Sequence, residues 1–153
     1  MISPLANVSP KAKIGNNVII EPFATVYEDV EIGDNTHVHP NAIIYPDTTI
    51  GSGCQIFPGA LVGIVSQDLK YKGEKAKTII GNNTIIREYA TVHKGTADRM
   101  LTAIGNNCLI MAYAHVAHDC IIGNNVILAN YVGLAGHVTI EDFVIIEGYT
   151  AIQ

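Results

Sequence analysis

An aliphatic residue recurs every six positions along almost the whole chain. Counting from Ile2 to Ile152 in steps of six gives 26 positions, and 23 of them hold Ile, Val or Leu. Those residue types total 43 of the 153, so chance would place only about 7 of them there. The exceptions are Asp68, Glu74 and Asp98. A period of six fits neither an amphipathic helix nor a simple alternating strand.

A second position in each hexad supports the same repeat. Four residues after the aliphatic start, 24 of the 25 complete hexads hold Ala, Val, Thr, Ser or Cys, and only Lys72 departs from this rule. The pattern is typical of a short strand followed by a corner, with the aliphatic side chain in the core and the small one where walls converge. Three hexads would close one triangular coil. The sequence therefore predicts an all-β parallel β-helix, a hexapeptide-repeat solenoid, as a single domain over residues 1–153.

The three cysteines follow this repeat. Cys54, Cys108 and Cys120 all stand at the small inward position. Their odd number and wide spacing indicate neither a disulfide framework nor a zinc knuckle. We interpret them as core residues, because free cysteine is commonly buried.

Two polar stretches interrupt the hexads without changing their phase. They lie near residues 66–77 (SQDLKYKGEKAK) and 96–102 (TADRMLT), and both place polar residues at core positions. We interpret them as loops that leave the coil and return to it. Loops on a rigid scaffold often carry function, although solvated insertions would give the same pattern.

Overall composition excludes several classes of protein. The net charge is −5 and the calculated pI about 5.6, which is unlike the basic surface of a nucleic-acid-binding protein. No apolar run has the length of a membrane span, so no stable membrane insertion is expected. The beginning MISPLANVSPKAKIG lacks the pattern of a secretory signal, and a cytoplasmic location is the expectation.

Four of the six histidines lie in the second half of the chain, at His93, His115, His118 and His137. With three hexads per coil, His118 would lie below Gly136, and Asp119 below His137. None of the residues in these two stacked pairs occupies an inward position, so we expect all four to point outward or along a wall. His37 and His39 belong to no such group, and we interpret them as surface residues.

This arrangement suits acyl transfer. A histidine with a near-neutral pKa can accept a proton from a substrate hydroxyl, and a neighbouring carboxylate can orient its ring. A glycine N–H can approach a developing oxyanion closely. No nucleophilic serine is required, because a bound hydroxyl can attack a thioester directly. Outward polar residues that only form hydrogen bonds between coils would show the same spacing.

Four segments carry a family resemblance: SQDLKYKGE, IREYATVHKGT, IMAYAHVAHDC and LAGHV. In order and spacing they resemble the UDP-N-acetylglucosamine O-acyltransferases that begin lipid A synthesis. The resemblance covers essentially the whole chain, and AHVAHDC followed by LAGHV is its most specific part. It implies a left-handed β-helix, which runs against the usual right-handed crossover.

The resemblance also implies roles for individual residues. His118 would be the general base for the 3-hydroxyl of the glucosamine, Asp119 would support it, and the Gly136 amide would hold the oxyanion. The residues expected to line the substrate cleft are Asp68, Lys70, His93, His115, His137 and Gln153. The ending EGYTAIQ departs from the family pattern, because it lacks the histidine that usually precedes the family's glutamine.

The same family implies partners and an assembly. Its acyl donor is a 3-hydroxyacyl acyl carrier protein, its acceptor is UDP-N-acetylglucosamine, and it works as a homotrimer with sites between subunits. It uses no metal or cofactor. Family members continue into further coils and a C-terminal helical domain, so this sequence is expected to match their N-terminal portion only.

Other functions fit parts of the sequence. The related N-acyltransferase of the same pathway carries an extra N-terminal uridine-binding domain, whereas hexads begin here at Ile2. Another hexapeptide O-acetyltransferase is a second alternative. A trimeric zinc carbonic anhydrase could use His93, His115 and His118 as ligands. A truncated, non-catalytic trimeric scaffold is the alternative from a different class.

Overall fold

Short parallel strands make up the whole regular structure of the chain. The computed structural model describes residues 1–153 and contains no helix. No segment therefore forms a helix able to cross a bilayer. The strands are β1 (Asn7–Val8), β2 (Lys13–Ile14), β3 (Ile19–Ile20), β4 (Thr25–Val26), β5 (Glu31–Ile32), β6 (His37–Val38), β7 (Ile43–Ile44), β8 (Thr48–Ile50), β9 (Gln55–Ile56), β10 (Leu61–Ile64), β11 (Lys77–Ile80), β12 (Ile85–Ile86), β13 (Thr91–His93), β14 (Leu101–Ile104), β15 (Leu109–Ile110), β16 (His115–Val116), β17 (Ile121–Ile122), β18 (Ile127–Leu128), β19 (Gly133–Leu134), β20 (Thr139–Ile140), β21 (Ile145–Ile146) and β22 (Ala151–Ile152).

These strands form three parallel sheets, because each strand pairs with the strand three places further along the chain. Sheet 1 has the order β1-β4-β7-β10-β13-β16-β19-β22, sheet 2 the order β2-β5-β8-β11-β14-β17-β20, and sheet 3 the order β3-β6-β9-β12-β15-β18-β21. The chain winds through sheets 1, 2 and 3 in turn, as a left-handed parallel β-helix. The predicted fold is confirmed.

The core is a column of the aliphatic and small positions of the hexads. Ile20, Ile56 and Leu128 are fully buried, as are small residues such as Ala24 and Ala60. Full burial of one such aliphatic side chain stabilises the fold by about 1.5–3 kcal/mol. The three cysteines are free and buried in this column, as predicted.

The corners between sheets depend on a backbone conformation that most residues avoid. The third residue after the aliphatic start has a positive φ at nearly every corner, as at Asn35 (58°) and Asp47 (63°). Asn and Asp tolerate this left-handed region better than other non-glycine residues, because their short side chains bond locally. We call the corner from sheet 1 to sheet 2 the 1–2 corner, and that from sheet 3 to sheet 1 the 3–1 corner.

Both interruptions leave the coil at the 1–2 corner. Loop 1 (residues 65–76) joins β10 to β11, and loop 2 (residues 94–100) joins β13 to β14. Five hexads separate the paired residues across loop 1 (Leu61 and Thr91), and four separate those across loop 2 (Thr91 and His115). In the regular coils the separation is three hexads, so loop 1 adds two hexads and loop 2 adds one. The predicted excursions are confirmed, and their lengths explain why the phase survives.

Lysines bind the loops to the plain coils beneath them. The Lys94 ammonium is 8% exposed and lies 3.5 Å from the Asp47 carboxylate at the same corner. Lys75, at the end of loop 1, lies 3.7 Å from Asp29 and 3.8 Å from Asp47. These contacts join the start of loop 2 and the end of loop 1 to the corner, while most residues of both loops remain exposed.

Candidate active site at the 1–2 corner

The polar residues predicted from the hexad register meet at the 1–2 corner. His118 and Asp119 follow β16, and Gly136 and His137 follow β19. The His137 N–H donates to the His118 carbonyl at 3.0 Å, which fixes the two coils in register. The predicted stacking of the two pairs is confirmed in the geometry.

A hydrogen bond orients the His118 ring. Its Nδ1 lies 2.8 Å from Oδ2 of Asp119. With the Asp119 carboxylate ionised, Nδ1 carries the proton and donates it, and Nε2 keeps a free lone pair. Nε2 is thus the atom of this ring that can accept a proton from a bound molecule.

Asp119 is fully buried although it does not belong to the core of the coil. Loop 2 folds over it: the Thr96 N–H and hydroxyl donate to its carboxylate at 3.0 and 2.5 Å. The Thr102 hydroxyl accepts the Asp119 N–H at 2.8 Å, and the Arg99 guanidinium donates to the Asp119 carbonyl at 2.7 Å. The carboxylate is therefore held by its neighbours rather than by water.

The pKa of Asp119 shows which influence dominates. Burial alone would raise it, but hydrogen bonds from Thr96 and His118 outweigh burial and hold the pKa below its ordinary value. The group is thus a carboxylate at neutral pH, as the orientation of His118 requires.

Gly136 is required by the close approach of the His118 ring. A Cβ at Gly136 would lie 2.5 Å from Cε1 and Nε2 of that ring, a distance that real contacts do not reach. No hydrogen bond within the chain uses the Gly136 N–H. A free backbone donor therefore stands beside the proton-accepting nitrogen.

Loop 1 contributes one residue to this site and leaves another outside it. Oδ2 of Asp68 lies 3.7 Å from Nε2 of His118. The Asp68 carboxylate also accepts the Lys70 N–H at 2.9 Å. The Lys70 side chain is exposed and forms no hydrogen bond or ion pair within the chain.

His137 lies at the open edge of the site. Its ring packs edge-on against that of His118, with 5.1 Å between the centroids, and Nε2 lies 3.4 Å from Asp98 and 3.9 Å from Asp119. Its side chain is 44% exposed, against 14% for His118. His137 is thus placed to meet a ligand that reaches His118.

His93 and His115 pair on the outer face of sheet 1. Their rings meet edge-on at 4.9 Å. Nδ1 of His93 bonds the Val65 carbonyl in loop 1 at 2.8 Å, and Nδ1 of His115 bonds the Thr91 hydroxyl at 2.9 Å. Burial lowers the pKa of both histidines. The charge of His118 lowers the pKa of His93 further, and the charge of His93 lowers the pKa of His115 further. Both are therefore neutral near pH 7.

Gln153 is not brought to this cluster. It follows β22 in the coil above Ala135, is exposed, and forms no hydrogen bond. The zinc alternative also lacks its predicted geometry, because the ligand atoms of His93, His115 and His118 do not converge. A different group does, formed by His118, Asp119 and His137, with ligand atoms within 4.8 Å of one another.

Thr96, Asp98, Arg99 and Thr102 belong to the site but were not predicted. Thr96 and Thr102 occupy the small position of their hexads, so the repeat identified them only as packing residues. The interruption at 96–102 was the available signal, since a segment that breaks the repeat beside a His-Asp pair can cover it.

The site as a whole is an open surface with a base, a buried carboxylate and a free amide donor. The hollows in the surface lie elsewhere, beside Lys13 and Glu31, beside Arg87 and Met111, and beside Glu141. A second molecule would be needed to enclose a substrate over His118.

Comparison with solved structures gives close matches along the whole chain. The UDP-N-acetylglucosamine acyltransferase from Campylobacter jejuni is 45% identical, with a TM-score of 0.96, over 100% of this chain and 60% of that one. The UDP-N-acetylglucosamine acyltransferase of Francisella novicida is 42% identical, with a TM-score of 0.98, over 100% of this chain and 56% of that one.

Sequence comparison agrees over a shorter range. An acyl-[acyl-carrier-protein]–UDP-N-acetylglucosamine O-acyltransferase of Trichlorobacter lovleyi is 47% identical over 66 residues, which is 42% of this chain and 25% of the relative. The chain thus matches about a quarter of this curated relative and about 60% of the Campylobacter structure.

A family model covers more than half of the sequence. The model described as bacterial transferase hexapeptide (six repeats) matches residues 11–45, 29–63 and 102–136. Its matches fall on the regular coils and omit both loops. The chain therefore belongs to the bacterial hexapeptide-repeat transferase family.

Proposed function

We propose that this chain is the β-helical part of an acyltransferase that moves a 3-hydroxyacyl chain from acyl carrier protein to the 3-hydroxyl of UDP-N-acetylglucosamine, the first step of lipid A synthesis. The observation that carries this proposal is the state of His118. Its Nδ1 is hydrogen-bonded to a buried carboxylate, and its ring packs closely on Gly136, whose N–H has no partner within the chain. The similarity to UDP-N-acetylglucosamine acyltransferases over the whole chain supports the choice of substrates.

The chain's own residues suffice for a balanced reaction. Nε2 of His118 takes the proton of the sugar hydroxyl as its oxygen attacks the thioester carbonyl. The oxyanion of the tetrahedral intermediate accepts the Gly136 N–H. The C–S bond then breaks, and the thiolate of the carrier takes the proton from His118. Asp119 balances the imidazolium between these steps without being protonated itself.

Other residues would bind rather than react. Asp68 and His137 flank Nε2 of His118 and are placed to accept or donate hydrogen bonds to the sugar. His93, His115, Lys70 and Gln153 are proposed to line the cleft more distantly. No residue is assigned to a metal or a cofactor in this reaction.

We also infer a homotrimer that acts in the cytoplasm, where acyl carrier protein occurs. The open shape of the site supports the assembly, because a neighbouring subunit would enclose the surface over His118. Mass measurement by light scattering tests this: three times the 16.4 kDa chain is expected, and the mass of one chain would contradict it.

The activity is tested by incubating the chain with UDP-N-acetylglucosamine and a panel of 3-hydroxyacyl carrier proteins. His118→Ala should lower turnover by about 10²–10⁴-fold, the usual contribution of a general base. Lys11→Ala, at the same corner but in the first coil, is the matched control and should retain activity. Absence of turnover in the unmodified trimer would instead support a non-catalytic scaffold.

A further inference from the structure

Three side chains far from His118 converge on the outer face of sheet 3. Glu21 follows β3, whereas His37 lies in β6 and His39 follows it. His37 and His39 flank the inward Val38, so both point outward. The Glu21 N–H donates to the Val38 carbonyl at 2.9 Å, which places Glu21 one coil below them. The two histidines point outward, as expected of surface residues, but the prediction that they belong to no cluster was wrong.

One carboxylate oxygen faces both rings. Oε1 of Glu21 lies 2.5 Å from Nε2 of His37 and 3.4 Å from Nδ1 of His39. A ligand atom from each of the three residues lies within 4.8 Å of the others. The two histidine rings are stacked, with 3.9 Å between centroids and 15° between planes.

An aromatic stack holds this arrangement in place. Phe57, one coil above His39, stacks on its other face at 4.4 Å. The Arg87 guanidinium covers Phe57 at 4.3 Å, and Glu88 pairs with that guanidinium at 2.9 Å. His39 is thus enclosed between His37 and Phe57, and its ring orientation is fixed before any ligand arrives.

Nδ1 is the nitrogen that His39 turns toward the Glu21 carboxylate, so it is the atom of that ring that would bind an ion. The Nε2 of His39 is buried and has no hydrogen-bond partner within the chain.

We propose that Glu21, His37 and His39 bind a zinc-like divalent transition-metal ion. Two imidazole nitrogens and one carboxylate oxygen are a donor set for Zn²⁺ and similar ions, whereas Mg²⁺ and Ca²⁺ prefer oxygen ligands alone. Zinc–ligand bonds of about 2.0–2.2 Å separate tetrahedral ligand atoms by about 3.4 Å. The entering ion would replace the Glu21–His37 hydrogen bond and move that pair about 1 Å apart.

The ion would join two successive coils of sheet 3, leaving one coordination position for water. It would act at a distance from the acyltransferase surface, and the proposal does not depend on that activity. Without an ion, the same three residues form only a hydrogen-bonded cluster, and this is the competing explanation.

The test is a zinc titration of the chain after removal of any affinity tag and treatment with a chelator. Calorimetry should show one equivalent of Zn²⁺ bound through these residues. His37→Ala should abolish that equivalent, and Glu21→Gln, which keeps shape and hydrogen bonding, should weaken it at least tenfold. His137→Ala is the matched control, because it removes a ligand from the other convergent group, and it should leave this equivalent unchanged.

A second readout separates binding from misfolding. Zinc should raise the melting temperature of the unmodified chain and of His137→Ala but not of His37→Ala, since a ligand stabilises only the fold that binds it. If His37→Ala fails to fold, Glu21→Gln decides. No binding by the unmodified chain, or binding lost in His137→Ala and kept in Glu21→Gln, would overturn the proposal.

Discussion

The 3–1 corner and the 1–2 corner share one backbone geometry but differ in chemistry. Tyr113 and Asp119 both stand third after an aliphatic start, with φ of 64° and 61°. Tyr113 is 50% exposed, whereas Asp119 has no exposed surface. The coil itself therefore does not decide whether a corner residue meets solvent.

At the 3–1 corner, the repeat is unbroken and its tyrosine rings stack on their equivalents in the next coil. Tyr89, Tyr113, Tyr131 and Tyr149 form one stack, with centroids 5.4, 5.0 and 4.8 Å apart and nearly parallel rings. All four remain about half exposed or more. Because the coils repeat here, the tyrosines stabilise one another by stacking, and no tyrosine has surroundings that differ chemically from those of the others.

At the 1–2 corner, loop 2 breaks the repeat and covers Asp119 with Thr96. This cover excludes water from the carboxylate, which accepts its hydrogen bonds from Thr96 and His118 instead. The site therefore arises where the coil is interrupted, and the regular coils supply only its register.

The largest expected effect is a difference in activity between alanine variants of two glycines, one at each corner, that occupy the same position in the hexad. Gly136→Ala puts a methyl group 2.5 Å from the His118 ring, which must turn away from Asp119. We expect kcat/KM to fall by about 100-fold or more, or about 2.7 kcal/mol, as when an oxyanion donor is lost. At the 3–1 corner, the Cβ of Gly148→Ala would lie 3.1 Å from the Asn130 carbonyl, and activity should be kept. Equal rates for both variants would contradict this.

The second test concerns the cover itself. Thr96→Val removes the hydroxyl that donates to the buried Asp119 carboxylate at 2.5 Å. We expect a loss of about 1.5–3 kcal/mol in the free energy of unfolding, because the bond is charge-assisted. Urea melts measure it.

Thr78→Val provides the matched control for that variant. The Thr78 hydroxyl is also buried but has no partner. Its replacement by a methyl group should be neutral, or stabilising by about 1 kcal/mol. An equal loss in both variants would show that burial of threonine, not the bond to Asp119, stabilises the corner.

The third test uses pH. The pKa values of His93 and His115 are lowered in the fold, so their contribution is complete above the unfolded value of about 6.5 and is lost as pH falls below it. The pKa of Asp119 is also lowered, so its contribution persists above about 3.9 and is lost at more acidic pH.

The unfolding free energy should therefore fall in two steps on acidification. His115→Asn should reduce the first step and Asp119→Asn the second, as followed by urea melts across pH. His39 also has a lowered pKa and adds to the first step, so His115→Asn should reduce that step without removing it. A first step unchanged in His115→Asn would refute the assignment.

The smallest effect is expected at the 3–1 corner. Tyr131→Asn removes stacking on Tyr113 and Tyr149 but supplies a residue that tolerates the left-handed φ of 62°. The two changes oppose each other, since an aromatic pair contributes about 0.5–1.5 kcal/mol. We expect a net loss below about 1 kcal/mol and unchanged turnover. A large loss of activity would link the two corners.

The sequence predicted the features that repeat. Steps of one hexad from Ile2 gave the core, and steps of three hexads placed His118 against Gly136 and Asp119 against His137. These predictions succeeded because one side-chain position has the same surroundings in every coil.

The sequence did not predict what depends on a departure from the repeat. Thr96 was placed in an interruption of the repeat, but its bond to Asp119 depends on how loop 2 folds back, which the spacing does not specify. The Glu21 cluster was missed for a different reason: Glu21 stands three hexads before His39, so the register held the signal but was applied only to the later histidines. The lateral approach of His37 to His39 depends on ring rotamers, which spacing does not specify.

Each loop leaves and rejoins the coil at the same corner. A change within a loop is therefore separate from a change in the pairing of the coils. A closed detour can lengthen, shorten or alter its residues while the coils before and after it keep their pairing. Doubling a flexible loop costs only about 0.6 kcal/mol in closure entropy. The residues that cover the corner can therefore vary in the detours, while the spacing between His118 and Gly136 is set by the coil and stays unchanged.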